Sequence, residues 1–314
     1  MSQESKSSSS GIRAYFAAHT FARRLASTIF LFFLLFLAVY FSRGEFNGIG
    51  AVVLMTAVST LALYEFYKLT EHFGGKPRKA LGLLLGLALV PFFFYATSQP
   101  TEEIDARGAI PVMLVFAALM FAFGIYLMAK MRVPELAKSL ATLWGVLYIP
   151  FCVGFYAILA GLHGWNGVLL CVWIVLAAKF TDIGGLLGGM FFGKHKLAPV
   201  LSPKKTWEGV VGGVVLSVVG SVALVAAFNH FDVWSASYIL KFQTFTPAYA
   251  ALFALPIAGV SVVSDLIESA VKRASGDKDS GATIPGIGGA LDLLDSLIFV
   301  APVGFLLIEY VLKR

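Results

Sequence analysis

The chain has 314 residues, of which 58% are hydrophobic and only 13% carry a charge. Soluble domains contain about 25% charged residues, so this composition excludes an ordinary soluble globular protein. The two cysteines, Cys152 and Cys171, lie in apolar stretches and are expected to be small core residues rather than a disulfide or metal pair. The composition predicts an all-α, polytopic integral membrane protein, and nothing in it predicts a nucleic-acid partner.

The hydropathy pattern predicts a disordered N-terminal tail, residues 1–20, followed by a single transmembrane domain over residues 21–314. Nine apolar segments are each long enough to cross roughly 30 Å of hydrocarbon. The sixth segment is the weakest, because Lys179 and Asp182 interrupt its second half. The predicted spans are 25–42, 49–67, 80–98, 108–129, 139–161, 166–187, 208–228, 248–268 and 296–312.

The basic residues test this number of spans, because cytoplasmic loops of membrane proteins carry an excess of Lys and Arg. If the N-terminus is cytoplasmic, most of the 24 basic residues fall in cytoplasmic segments. Lys313 and Arg314 fall on the opposite side and do not fit. The bias predicts a cytoplasmic N-terminus, and the basic loops predict contact with anionic lipid headgroups.

A polar segment, residues 179–213, joins the sixth and seventh predicted spans. Ser202 and Pro203 predict the start of a helix there, because serine caps helix N-termini and proline favours the first turn. Glu208 is expected in the first turns, where the helix dipole favours a carboxylate. Free N–H groups beside the Lys-Lys-Thr run 204–206 predict an anion site. An ordinary capped helix with lysines reaching the membrane surface is the alternative.

The most charged segment, residues 265–295, lies between the last two predicted spans. Asp265 and Glu268 share a helix face at i,i+3 spacing, and Asp292 and Asp295 repeat that spacing. Glycines between the two pairs allow a tight loop that brings them together. Converging carboxylates repel unless a cation lies between them, and Mg²⁺ binds carboxylates together with substrate phosphates. The segment predicts a metal–phosphate site, and a salt-bridged loop without catalytic function is the alternative.

These residues resemble the signature of the phosphatidate cytidylyltransferase family, the CDP-diacylglycerol synthases. The pattern runs from Ser269 to Asp295 as S-x-V-K-R-x4-K-D-x-G-x2-I-P-x2-G-G-x2-D-x2-D. Two positions inside it depart from the family, because Ile287 replaces the usual histidine and Leu293 replaces the usual arginine. Three further runs resemble the same family, residues 64–67, 192–197 and 202–209.

The resemblance implies that CTP reacts with phosphatidate in the bilayer to give CDP-diacylglycerol and pyrophosphate. It implies Mg²⁺ as cofactor, and a second monovalent or divalent cation is left open, as is a homodimer. The active site is expected on the cytoplasmic side of a bacterial inner membrane, within the C-terminal half, about 166–314. The residues expected to act in catalysis are Asp265, Lys272, Arg273, Lys278 and Asp292. Those expected to bind substrate are Ser202, Lys204, Lys205, Thr206 and Asp279. The expected metal ligands are Asp265, Asp292, Asp295, Glu268 and Asp182.

Three other functions stay open at this point. A related CTP-dependent enzyme, such as a polyprenol or phytol kinase, would also bring CTP to a lipid acceptor. An anion transporter would couple intramembrane acids to protons or Na⁺, although the outer half of this chain looks apolar. An inactive scaffold would follow if Ile287 and Leu293 had replaced essential side chains.

Overall fold

The computed structural model describes residues 27, 29–43, 48–72, 76–98, 134–233, 245–277, 280–281, 283–284 and 288–312. Within these ranges, five helices are long and apolar enough to cross a membrane, which confirms an α-helical membrane protein. The predicted tail 1–20 and the predicted span 108–129 lie outside the described residues. The number of nine spans and the orientation of the N-terminus therefore stay predictions.

The helices of the described chain agree in position with the other predicted spans. The first and last of these spans are represented by apolar helices shorter than 18 residues, Ile29–Tyr40 and Val300–Val311. The helices are α1 Ile29–Tyr40, α2 Ile49–His72, α3 Lys79–Ser98, α4 Pro134–Val146, α5 Cys152–Phe192, α6 Trp207–His230, α7 Pro247–Ser275, α8 Ala290–Leu294 and α9 Val300–Leu306. Short π-helical segments, Leu147–Phe151 and Leu307–Leu312, follow α4 and α9, and the two strands are β1 Lys196–Ala198 and β2 Ser202–Thr206.

Helix α5 consists of two arms that meet at Gly164. This glycine has φ 55° and ψ −128°, which a residue with a side chain rarely adopts. The Cys171 thiol donates a hydrogen bond to the Tyr156 carbonyl at 3.3 Å. In a straight helix these residues would lie about 22 Å apart, so the arms must run side by side. The turn confirms the predicted break between the fifth and sixth spans, and it buries both cysteines as expected.

The segment between α5 and α6 is an antiparallel β-hairpin, in which Lys196 pairs with Thr206 and Ala198 pairs with Ser202. The prediction that Ser202 and Pro203 start a helix is therefore wrong. Pairing with β1 holds this stretch extended, and Thr206 provides the cap instead. Its Oγ1 accepts a hydrogen bond from the Gly209 N–H at 3.1 Å. Glu208 does lie in the first turn of α6, as predicted.

Glycines allow the second arm of α5 to contact α6 backbone to backbone. A Cβ added at Gly184 would lie 2.4 Å from the Gly212 carbonyl oxygen, and one added at Gly212 would lie 2.7 Å from the Gly184 carbonyl oxygen. Small residues let membrane helices approach this closely. The contact fixes the arm that carries Lys179 and Asp182 against the helix that follows the β-hairpin.

Buried aromatic side chains join α2 to the π-helical segment Leu147–Phe151 and join α5 to α9. Phe66 lies 5.6 Å from Tyr148, and Phe155 lies 5.5 Å from Phe305, between ring centroids. All four side chains are almost completely buried. Tilted aromatic pairs at this distance stabilise a core beyond their buried area. This core holds α2 beside the C-terminal helices.

We expect Gly184→Ala to lower the melting temperature of the purified protein in detergent, because the added Cβ would separate α5 from α6. Overpacking of this kind costs about 1–3 kcal/mol. The matched control is Gly259→Ala in α7, where an added Cβ meets no atom within 4 Å. Equal melting temperatures for the two variants would contradict the close helix contact.

Candidate active site

Three of the predicted metal ligands lie together. Asp265 and Glu268 project from α7, and Asp295 directly follows α8. One ligand oxygen from each of the three lies within 4.8 Å of the others. Glu268 is completely buried, and its Oε1 has no hydrogen-bond partner among the described residues. A carboxylate oxygen without a donor, close to two further carboxylates, suits a hard cation such as Mg²⁺. We call these three residues the carboxylate cluster.

Two lysines neutralise the carboxylate cluster. Lys272 Nζ lies 2.6 Å from Glu268 Oε2 and 2.9 Å from Asp292 Oδ1. Lys205 Nζ, from β2, lies 2.6 Å from Asp265 Oδ2. Both lysines are largely buried, so water screens these ion pairs less than it would at a surface. The β-hairpin and α8 are thus both tied electrostatically to α7.

Asp292 lies beside the carboxylate cluster and has its own donors. Its Oδ2 accepts a hydrogen bond from the Gly289 N–H at 2.8 Å, and both of its oxygens accept from the Ser280 N–H. Burial alone would raise the pKa of Asp292, but the Gly289 N–H and the Lys272 ammonium outweigh it and hold the pKa below its usual value. Asp292 therefore stays anionic, orients Lys272 and fixes the loop before α8.

Asp182, the fifth predicted ligand, belongs to a separate polar group. Lys179 Nζ donates to Asp182 Oδ2 at 3.2 Å and to Ser296 Oγ at 2.9 Å, and Ser296 Oγ also donates to Asp182 Oδ2 at 2.9 Å. The neighbouring Asp295 is half-buried, and its desolvation, partly opposed by Lys179, raises its pKa to about 6. A cation beside Asp295 would favour its ionised form. Neither Lys179 nor Ser296 was among the predicted site residues.

Only some of the predicted substrate-binding residues on the β-hairpin lie at the carboxylate cluster. Lys205 reaches it through Asp265, whereas Lys204 on the same strand is exposed. Thr206 is buried, and its hydroxyl accepts the α6 capping bond. Ser202 is half-buried on the strand. The hairpin therefore presents one lysine to the carboxylates and another to solvent.

The remaining predicted residues lie at the end of α7 and in the loop beyond it. Arg273 is exposed, and its Nε donates to the Leu201 carbonyl at 3.4 Å. Leu293, which replaces the usual arginine, is half-buried, and its carbonyl accepts from Lys179 Nζ at 3.4 Å. Lys278, Asp279 and Ile287 lie outside the part of the chain that the structure describes.

Glu65 of α2 is a buried neighbour of the site to which the sequence analysis gave no role. Its Oε2 accepts hydrogen bonds from the Leu291 N–H at 2.9 Å and from Ser280 Oγ at 3.1 Å. These partners are more than 200 positions away along the chain, so spacing could not reveal them. Two signals were present in the sequence. Residues 64–67 resemble the family, and a glutamate within an apolar span is costly there.

Comparison with known proteins identifies the family of the chain. The family model described as "Cytidylyltransferase family" matches residues 22–311. The chain belongs to the cytidylyltransferase family. The resemblance found in the sequence is thereby confirmed, and the match begins at residue 22, well before the first run that carries the resemblance, residues 64–67.

Individual relatives of this chain carry a more specific name. A phosphatidate cytidylyltransferase of Thermotoga maritima is 29% identical over 258 residues, which are 82% of this chain and 86% of the relative. One of Haemophilus influenzae is 39% identical, covering 44% of this chain and 45% of the relative. One of Mycobacterium bovis is 32% identical, covering 50% of this chain and 46% of the relative. The chain thus spans about half the length of the Haemophilus and Mycobacterium proteins.

We expect Lys272→Met to lower the melting temperature, because it leaves the buried Glu268 without its ion-pair partner. Breaking a buried pair from one side costs about 3–5 kcal/mol. The matched control is Arg273→Met, which removes an exposed cation from the adjacent position. If thermal unfolding in detergent gave the same temperature for both variants, the Lys272–Glu268 pair would not have the role described.

Proposed function

We propose that the protein transfers the cytidylyl group of CTP to phosphatidate, giving CDP-diacylglycerol and pyrophosphate. The observation that carries this proposal is the carboxylate cluster with Lys205 and Lys272 at ion-pair distance. Acids that can hold a metal, next to bases that can bind phosphate, suit a reaction between two polyanions. The names of the relatives from three bacteria support the same reaction.

We propose that Asp265, Glu268 and Asp295 hold Mg²⁺. The fit rests on their short mutual distances and on the Glu268 oxygen that lacks a hydrogen-bond donor among the described residues. When bound, Mg²⁺ would supply electrostatic stabilisation of the charge that develops on the transferring phosphate. Asp292 and Asp182 were also expected as ligands, and in this proposal they act by orienting Lys272 and Lys179.

The chemistry needs positioning more than proton transfer. The attacking oxygen belongs to the lipid phosphate, which is already anionic. It forms a bond to the α-phosphorus of CTP, and the bond from that phosphorus to the pyrophosphate oxygen breaks. Lys272 has three N–H donors, of which Glu268 and Asp292 occupy two, so one can serve a phosphate oxygen. Lys205 and the exposed Arg273 would neutralise further phosphate charge.

The proposed location is the inner membrane of a bacterium, with the site on its cytoplasmic side. CTP is a soluble nucleotide, and the distribution of basic residues favours the cytoplasm for the loops that carry the site. Lys194, Lys196 and Lys204 are exposed on and beside the β-hairpin, where they could attract anionic headgroups. Phosphatidate would then reach the site while its acyl chains stay in the bilayer. A homodimer and a second cation stay predictions.

The decisive experiment supplies purified protein in liposomes with labelled CTP, phosphatidate and Mg²⁺. We expect labelled CDP-diacylglycerol from the wild type and a loss of at least about 100-fold for Asp265→Asn, because a principal source of charge stabilisation is removed. The matched control is Asp277→Asn, which changes a carboxylate that pairs with His72 outside the cluster.

Two outcomes would contradict the proposed function. Full turnover by Asp265→Asn would exclude that carboxylate from the catalytic centre. Wild-type protein that forms no CDP-diacylglycerol from phosphatidate but phosphorylates a polyprenol would indicate the related lipid kinase activity instead. Activity of the wild type would also show that Ile287 and Leu293 are tolerated, which excludes the inactive scaffold.

A further inference from the structure

We propose that Glu65 is a positioning residue for the cytidylyl transfer proposed above. This role rests on that proposed function. Through the Ser280 hydroxyl and the N-terminal turn of α8, it sets the position of Asp292 and hence of Lys272. The role joins the N-terminal half of the chain to the carboxylate cluster. Within α2, residues 64–67 resemble the family, but that resemblance assigns no role to Glu65.

The burial of Glu65 is costly for stability alone. The side chain is 2% exposed. Among the described residues, no lysine or arginine forms an ion pair with it, and its two hydrogen bonds come from neutral donors. Neutral hydrogen bonds offset only part of the cost of burying a carboxylate. A hydrophobic side chain would fill the same place in the core more favourably, so the carboxylate points to a functional role.

The Ser280 hydroxyl transmits the orientation from Glu65 to Asp292. A hydroxyl has a single proton to donate. The Ser280 hydroxyl donates it in a hydrogen bond to Glu65 Oε2, with Oγ and Oε2 3.1 Å apart. Its oxygen then accepts a hydrogen bond from the Asp292 N–H at 3.3 Å. The Ser280 N–H in turn donates to the Asp292 carboxylate. Because the Ser280 O–H donates to Glu65, a lone pair of the serine oxygen faces the Asp292 N–H.

A second contact fixes the start of α8 directly. The first N–H groups of a helix have no partner within the helix. One of them, the Leu291 N–H, donates a hydrogen bond to Glu65 Oε2 at 2.9 Å. The next residue is Asp292, which lies 2.9 Å from Lys272 Nζ. Lys272 lies 2.6 Å from Glu268 of the carboxylate cluster. The contacts are thus continuous from Glu65 to the proposed metal site.

Two glycines let the loop close on the Glu65 carboxylate. A Cβ added at Gly289 would lie 2.3 Å from Glu65 Oε2 and 2.1 Å from Ser280 Oγ, and one added at Gly281 would lie 2.6 Å from Glu65 Oε1. Real Cβ atoms do not approach other atoms this closely, so a side chain at either position would displace the Glu65 carboxylate or the Ser280 hydroxyl. Both of these described glycines therefore lie against this one side chain.

The test compares Glu65→Ala and Glu65→Gln with a control in the full-length protein in lipid nanodiscs. Two properties are measured, the steady-state constants for CTP at saturating Mg²⁺ and the hydrogen–deuterium exchange of peptides covering 288–297. We expect Glu65→Ala to lower kcat about 10–100-fold, as loss of an orienting partner does, with a smaller change in KM and faster exchange at Leu291. Glu65→Gln keeps an oxygen that accepts both bonds, so we expect it to restore most of the rate.

The matched control is Tyr67→Phe, two positions along the same helix. It removes a buried hydrogen bond of 2.7 Å from Tyr67 Oη to the Thr142 carbonyl, which lies away from the loop. We expect this variant to lose stability while kcat and the exchange of the loop stay unchanged. Should Glu65→Ala not fold, Ser280→Ala removes the same connection from the loop side. Where Glu65→Ala does fold, its combination with Ser280→Ala in a double-mutant cycle should be non-additive, because both variants remove the same connection.

Three results would overturn the positioning role. The first is wild-type kcat and exchange in Glu65→Ala or Ser280→Ala. The second is a Glu65→Gln variant as inactive as Glu65→Ala, which would indicate that the charge itself acts. The third is full additivity in the double-mutant cycle. If the wild type has no cytidylyltransferase turnover, the proposed function fails, and the exchange of the loop still decides whether Glu65 positions it.

Discussion

Carboxylates buried in a membrane protein must be neutralised, and this constraint organises the described part of the chain. Glu268 has no exposure, and Asp265 and Asp295 lie beside it. Lys205 reaches the group only because the β-hairpin folds back over the end of α7. Lys272 is held by Asp292, which requires α8 to start at the correct position. The hairpin, the loop and the short helix are therefore arranged around one cluster of charge.

The same constraint explains how one site can serve a metal and two phosphates. The lysines hold the acids at short mutual distance, and the same ammonium groups can bind phosphate oxygens. Metal and substrate would thus enter a framework that is already assembled, which favours catalysis by positioning. Glu65 extends this framework to α2, so residues from both ends of the chain determine the geometry of the cluster.

Features that depend on local geometry could be predicted from the sequence, and those that depend on distant partners could not. The i,i+3 spacing of Asp265 and Glu268 identified their common helix face, since helix geometry is local. Ser202 carries a capping signal, but pairing with β1 overrides it. Spacing alone also could not separate Asp292 from the cluster, because the Gly289 N–H that holds it belongs to the loop. Glu65 was missed for the same reason, since its partners are contributed by the fold.

The most direct test of the central claim is the binding of a divalent cation without substrate. Mn²⁺, which shares the preference of Mg²⁺ for carboxylate oxygens, can be titrated into the purified protein and followed by electron paramagnetic resonance. We predict one bound Mn²⁺, with affinity lowered at least about tenfold in Asp295→Asn or Glu268→Gln. Affinity that is equal in the wild type and both variants would contradict the assignment of the carboxylate cluster as the metal site.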